Sequence, residues 1–84
     1  MPKIMNAFTW KQAMDDEMLS LVPAQQAWIQ DKKEKGVLLH IFLAADMSAG
    51  WAVYSADSAD AVMSLLETLP LRRFMNVNLI ELAE

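Results

Sequence analysis

Residues 37–66, VLLHIFLAADMSAGWAVYSADSADAVMSLL, contain two apolar segments, a turn between them and the start of a helix. The first segment, residues 37–44, is too short for a helix between Gly36 and the turn-like DMSAG, and its β-branched and aromatic residues favour a strand. Residues 51–56 continue as its partner across the turn. The stretch therefore predicts a β-hairpin followed by a helix.

The predicted strand at residues 37–44 is apolar on both faces. His40 shares one face with Leu38 and Phe42, and the other face carries only aliphatic side chains, namely Leu39, Ile41 and Leu43. A strand of this kind is normally covered on both sides. The pattern therefore predicts that both faces of the sheet are covered.

Helical patterns lie on either side of the hairpin. Pro23 suits the first turn of one helix and Gly36 suits its end. Ser58 predicts the N-cap of a second helix, which Pro70 stops. Its apolar residues recur at helical spacing, at Val62, Leu65, Leu66 and Leu69. The acidic start of residues 15–20 predicts a separate helical turn.

Alternating segments at residues 3–9 and 74–82 predict the first and last strands. The element order is then β-α-β-β-α-β, which is the ferredoxin-like α+β arrangement of four antiparallel strands with two helices on one face. The length of 84 residues leaves room for no second domain, so residues 1–84 are expected to form a single one.

The composition predicts self-association. The chain is 55% hydrophobic at a mass of 9.5 kDa, and a domain this small cannot bury all of that apolar area in its own core. Large exposed apolar surfaces usually mark interfaces. A second copy is the available cover for the sheet face without helices, and two sheets packed face to face would form a dimeric α/β barrel.

Several classes of function are disfavoured by the composition. A net charge of −4 predicts no nucleic-acid partner. With one histidine and no cysteine, no metal site is expected, and no glycine-rich loop points to a cofactor. The longest apolar stretch, residues 37–45, is less than half of the roughly 20 residues that a membrane helix needs. We therefore expect a cytoplasmic protein with no membrane partner.

Three stretches resemble the muconolactone isomerase-like family: LVPAQQAWIQDKKEKG, VLLHIFLAAD and WAVYSADSADAVMSLLETLPLRRFMNVNLIEL. The marks of the resemblance are Gly36, Asp57, Ser58, the Leu69-Pro70-Leu71 turn and the closing Val77–Leu82. The resemblance implies a ferredoxin-like fold and dimeric barrel pairing, often within larger rings. It also implies an activity, since the enzymes of this family shift a proton within an unsaturated lactone of aromatic-compound breakdown.

His40 matches a histidine in the second strand of those enzymes. Elsewhere the sequence departs from their pattern, in the strand beside His40, inside the second helix and after the Leu-Pro-Leu turn. The residues at these positions are Leu39, Phe42, Met63, Arg72 and Arg73. The resemblance therefore supports the fold more than the isomerase activity.

The candidate catalytic residue is His40, because histidine is the side chain best suited to move protons near neutral pH. Strand alternation suggests that other polar residues share its face and bind a substrate, namely Asn6, Tyr54 and Asn78. Arg72 and Arg73 are candidates for binding a carboxylate. Each assignment has a structural alternative. His40 is then a packed histidine, the three polar residues form a layer that sets the register of a dimer, and the two arginines lie in a solvated turn.

Two functions remain open from the sequence. One is a muconolactone isomerase-like protein that isomerises a small unsaturated lactone by proton transfer. The alternative is a non-catalytic oligomeric or small-molecule-binding module of the same barrel type. A barrel-type monooxygenase also fits the fold, but no residue points to a cofactor. Fold alone does not choose among them, because this architecture hosts unrelated functions.

Overall fold

The structure is a computed structural model that describes residues 2–83. Its strands are β1 (Lys3–Trp10), β2 (Leu38–Leu43), β3 (Ala49–Ser55) and β4 (Met75–Leu82), and its helices are α1 (Asp16–Glu34) and α2 (Ala59–Leu66). A 3₁₀ turn, Arg72–Phe74, precedes β4. The strands form one antiparallel sheet in the order β2-β3-β1-β4. This confirms the predicted ferredoxin-like fold.

Both helices pack on one face of the sheet, which we call the covered face. Met18 of α1 and Leu66 of α2 are fully buried against it. The strand residues of this core are Ile4 and Phe8 of β1, Leu38 of β2, Ala52 and Tyr54 of β3 and Met75 of β4. Period-two alternation in the strands and helical spacing in α2 together produce this single core.

Helix α1 begins earlier than expected. The carboxylate of Asp15 accepts a hydrogen bond from the backbone N–H of Met18 at 2.8 Å and caps the helix. Pro23 therefore lies inside α1, and the prediction of a helix start there, with a separate turn at residues 15–20, is wrong. The cap satisfies an otherwise unpaired N–H group, and the helical turns before Pro23 bury Met18 in the core. Together these gains offset the lost hydrogen bond and the ring–carbonyl clash that an interior proline causes.

The end of α1 is as predicted. Gly36 has a φ of 73°, a left-handed conformation that glycine adopts without a Cβ clash. Its N–H donates to the carbonyl of Lys33, and the N–H of Val37 donates to that of Lys32. These two bonds form a Schellman motif, which ends the helix and directs the chain into β2.

Strand β2 has a register shift near its start. Leu38 pairs with Tyr54, and His40 pairs with the adjacent Val53, so Leu39 is the extra residue. The shift turns Leu38 onto the covered face, where it is buried. The expectation that Leu38 shares a face with His40 is therefore wrong, because a bulge inverts the alternation on one side of it.

The other sheet face, which we call the open face, is apolar and uncovered by any helix within residues 2–83. Its largest side chains remain exposed, at 59% for Phe42, 40% for Trp51 and 44% for Ile80. Across residues 2–83, no helix is long and apolar enough to cross a membrane. Pairing with a second copy stays a prediction.

Candidate functional site

His40 lies on the open face, in edge strand β2. Its ring stacks on that of Phe42, with the centroids 6.1 Å apart and the planes 17° from parallel. Val53 is directly opposite on β3, and Phe42 is opposite Trp51. The imidazole is exposed and rests among apolar side chains, so it is accessible to a molecule that approaches this face.

Asn78 is also exposed on the open face, but at the other edge of the sheet. It lies in β4, opposite Ala7 of β1, and the strand order separates β4 from β2 by three inter-strand spacings. At about 4.8 Å per spacing, the two strands are about 14 Å apart. His40 and Asn78 of one chain therefore cannot hold the same small molecule between them.

Asn6 lies on the covered face, in the middle of β1. Its side chain is 1% exposed, and within residues 2–83 its Oδ1 atom has no hydrogen-bond partner. Ala52 and Leu79 are its neighbours across the sheet. A buried polar atom without a partner costs about 1–3 kcal/mol, so Asn6 does not stabilise the fold.

Tyr54 is on the covered face as well and is 3% exposed. Burial raises the pKa of its phenol to about 12, so the hydroxyl stays neutral at physiological pH. Its cross-strand partner is Ile4, which makes it a diagonal neighbour of Asn6, with Cα atoms about 7–8 Å apart.

The expected convergence of four polar residues on one face is therefore wrong. The sheet separates His40 and Asn78 on the open face from Asn6 and Tyr54 on the covered face. Alternation correctly assigns residues to faces only within a stretch of strand that has no bulge. It does not align neighbouring strands, because their register depends on long-range pairing.

Arg72 lies beside α2, on the side of the covered face. Its Nη1 donates to the carbonyl of Met75 at 3.2 Å, and its Nη2 lies 3.9 Å from the sulfur of Met63. Its buried Nε has no partner within residues 2–83. These contacts join α2 to the start of β4 and direct the guanidinium away from His40.

Arg73 is held by contacts with α1 and with its own neighbour. Its Nη2 donates to Oε1 of Glu17 at 2.6 Å, and its guanidinium lies over the ring of Phe74, 4.7 Å from the centroid. Both partners of the ion pair are exposed, so the pair adds little stability. Binding of a substrate carboxylate by Arg72 or Arg73 stays a prediction.

The residues around His40 on the open face are Phe42, Trp51 and Val53. None of the three was predicted from the sequence as a site residue. The register of the β2–β3 hairpin is the signal that identifies them, since it places all three beside the imidazole. Within residues 2–83, no group of three or more acidic or histidine side chains could hold a metal ion.

The fold and this face define a ferredoxin-like α+β protein with an uncovered apolar sheet. Residues 5–84 match the family model described as muconolactone delta-isomerase. The chain belongs to the muconolactone delta-isomerase family, and the resemblance seen in the sequence is confirmed.

Two solved structures are similar to this chain. A crystal structure of muconolactone isomerase aligns over 98% of this chain and 88% of its own, with a TM-score of 0.82 and 21% identity. The 5-chloro-2-hydroxyhydroquinone dehydrochlorinase from Burkholderia phenoliruptrix AC1100, in complex with 2,5-dihydroxybenzoquinone, aligns over 96% and 94%, with a TM-score of 0.72 and 15% identity. No curated protein sequence matches the chain. At these identities the two structures establish the fold alone.

Proposed function

We propose that this protein isomerises a small unsaturated lactone by moving a proton between two of its carbons, with His40 as the acid–base group. The observation that carries the proposal is the position of His40. It is the single histidine of the chain, and it is exposed on an apolar face in a member of the muconolactone delta-isomerase family.

A second copy of the chain completes the site in this proposal. The open face exposes large apolar side chains, and β2 and β4 are both unpaired edges of the sheet. A closed barrel of two copies removes these edges, with β2 of one copy beside β4 of the other. His40 then lies near Asn78 of the partner subunit, within apolar walls that exclude water.

The reaction conserves all atoms of the substrate. The neutral imidazole of His40 accepts a proton from a ring carbon next to the carbon–carbon double bond. The electron pair left behind delocalises through that bond onto the lactone carbonyl oxygen. The imidazolium then returns the proton to the carbon next to the carbonyl, at the far end of the original double bond, and the double bond moves by one position. Positioned acid–base catalysis of this kind contributes about 10²–10⁴-fold in rate.

In this proposal, the amide of Asn78 of the partner subunit donates a hydrogen bond to the carbonyl oxygen as negative charge develops there. Such a donor acts mainly on the transition state, because the charge is absent from the ground state. Asn6 and Tyr54 take no part in these steps, since the sheet lies between them and His40. Asn6 and Tyr54 could bind a ligand, as predicted, only if that ligand entered the covered face.

The test replaces His40 with Gln and follows the conversion of muconolactone, together with deuterium uptake from the solvent at its ring carbons. We expect turnover to fall at least about 100-fold, because glutamine cannot relay a proton. Lys33→Gln is the matched control: it changes an exposed residue of α1, on the other side of the sheet from His40, and should leave turnover unchanged. Both variants should sediment like the parent protein.

A second candidate function is a non-catalytic binding or assembly module. One observation favours it: within residues 2–83 no side chain hydrogen-bonds to His40 and orients it, as catalytic bases usually require. The same experiment separates the two functions. A parent protein that neither turns over the lactone nor exchanges its protons, with a His40→Gln variant that fails to dimerise, would show a structural role for His40.

A further inference from the structure

A separate cavity of about 410 Å³ lies at one end of the sheet, between the end of β1, the start of α1 and the turn from β2 to β3. Its volume is in the range of small-molecule sites. We propose that this cavity binds a small, uncharged aromatic compound that carries a hydroxyl group. The proposal does not rest on the isomerase reaction, because the cavity shares no residue with the open-face site.

The walls of the cavity suit an aromatic ring. Trp10 is held in place by an edge-to-face contact with Phe8, with the centroids 5.9 Å apart. Around it are three methionines: the exposed Met14 and the buried Met18 around the start of α1, and the exposed Met47 in the turn between β2 and β3. A thioether makes favourable contacts with aromatic rings, and its flexible chain adapts to their shape. The cavity thus has one rigid wall and three adaptable ones.

The rim of the cavity carries a hydrogen-bond acceptor. Oδ1 of Asp46 accepts from the hydroxyl of Ser48 at 2.7 Å and from its backbone N–H at 3.0 Å. These bonds lower the pKa of Asp46, so its carboxylate is ionised at neutral pH. Its Oδ2 accepts no hydrogen bond from any other side chain within residues 2–83. That oxygen can accept one from a ligand hydroxyl, and its charge repels anionic ligands.

One residue at the mouth of the cavity has a left-handed backbone conformation. Met47 has a φ of 65°, a left-handed conformation that disfavours side chains with a Cβ. Its N–H donates to the carbonyl of Ala44 at 2.9 Å, a bond that glycine would make equally well. Strained residues cluster at ligand sites. Here the methionine places a long apolar side chain beside the cavity.

The first measurement is a phenol titration of protein labelled at its methionine methyl groups, followed by NMR. We expect saturable shifts at Met14, Met18 and Met47 and none at Met5 or Met63, which lie elsewhere in the fold. Benzoate, which has the same ring with a negative charge, should bind at least about tenfold more weakly because Asp46 repels it. Shifts centred on Met5 would place phenol on the open face and overturn the proposal.

The second measurement separates binding from turn structure. Met47→Gly relieves the backbone strain, so its unfolding temperature should equal or exceed that of the parent protein. It should nevertheless bind phenol about tenfold more weakly, because one wall is lost. Leu19→Ala, an exposed apolar residue of α1 outside the cavity, is the matched control and should retain full affinity. Equal affinity in Met47→Gly and the parent protein would refute the assignment.

Discussion

Both faces of the sheet carry large apolar side chains, but the environments of the two faces are opposite. Ile4 and Phe8 on the covered face are buried beneath the helices, whereas Phe42, Trp51 and Ile80 on the open face remain exposed. Hydrophobicity therefore marks both faces for burial, but the helices of one chain cover only one. The residues that stabilise the fold and those of the proposed function therefore lie on opposite sides of the same strands.

The polar residues of the two faces differ in the same way. Asn6 and Tyr54 are enclosed in the core, whereas His40 and Asn78 are accessible. Enclosed polar groups act on the free energy of unfolding, and accessible ones are available for binding and proton transfer. Three measurements test this contrast between the faces.

The largest effect is expected from truncating matched isoleucines on the two faces. Ile4→Ala should lower the free energy of unfolding by about 2–5 kcal/mol, because it leaves a cavity in a fully packed core. Ile80→Ala should cost the monomer less than about 1 kcal/mol, since the side chain is already half in water.

Urea unfolding at low protein concentration measures both isoleucine variants. Should Ile4→Ala prove too unstable to purify, Ile4→Val, expected to cost about 0.5–1.5 kcal/mol, replaces it. If the loss in free energy of unfolding caused by Ile80→Ala increases with protein concentration, a second copy buries the open face. Equal losses in the free energy of unfolding for Ile4→Ala and Ile80→Ala at low concentration would contradict the assignment of the two faces.

A smaller effect is expected from ionising Tyr54. Its pKa is raised to about 12 in the folded protein, against about 10 in an unfolded chain. The unfolded state therefore releases the phenol proton first as pH rises. Stability should be complete below pH 10 and fall by about 3 kcal/mol between about pH 10 and 12.

Tyr54 is the single tyrosine of the chain, so the absorbance of its phenolate reports its titration directly. Unfolding measured across the same pH range should show a smaller loss in Tyr54→Phe, which has nothing to ionise at this position. An identical loss in Tyr54→Phe would show that other groups cause the alkaline instability.

The smallest effect is expected at Asn6. Asn6→Leu should raise the free energy of unfolding by about 1 kcal/mol, because it replaces a buried oxygen that has no partner within residues 2–83 with an apolar group of similar size. Thermal unfolding measures the change. Asn78→Leu on the open face is the control and should not stabilise the monomer. A destabilised Asn6→Leu would reveal a hydrogen bond to Asn6 in solution.

Much of the fold was predictable because its signals are local. The N-cap at Ser58 is confirmed by a hydrogen bond from the N–H of Ala61 to its hydroxyl at 3.1 Å, and Gly36 ends α1. Alternation in β4 correctly placed Val77 on the opposite face from Asn78. Each of these features depends on residues within a few positions of one another, so periodicity and capping rules suffice.

The candidate site was less predictable because it depends on strands far apart in sequence. His40 and its neighbour Val53 are brought together by hairpin register and by the bulge at Leu39. No local rule signals that bulge, and a shift of one residue sends a side chain to the opposite face.

The amino-acid sequence was enough to establish the order of strands and helices and the amphipathic character of each element, because these properties follow from short-range spacing. Its resemblance to known proteins indicated the family. The folded chain alone decided that Asn6 and Tyr54 are enclosed while His40 is accessible. It also decided that Pro23 lies within a helix. The reason is physical: strand register and helix docking minimise the free energy of the whole chain, and no single segment contains that information.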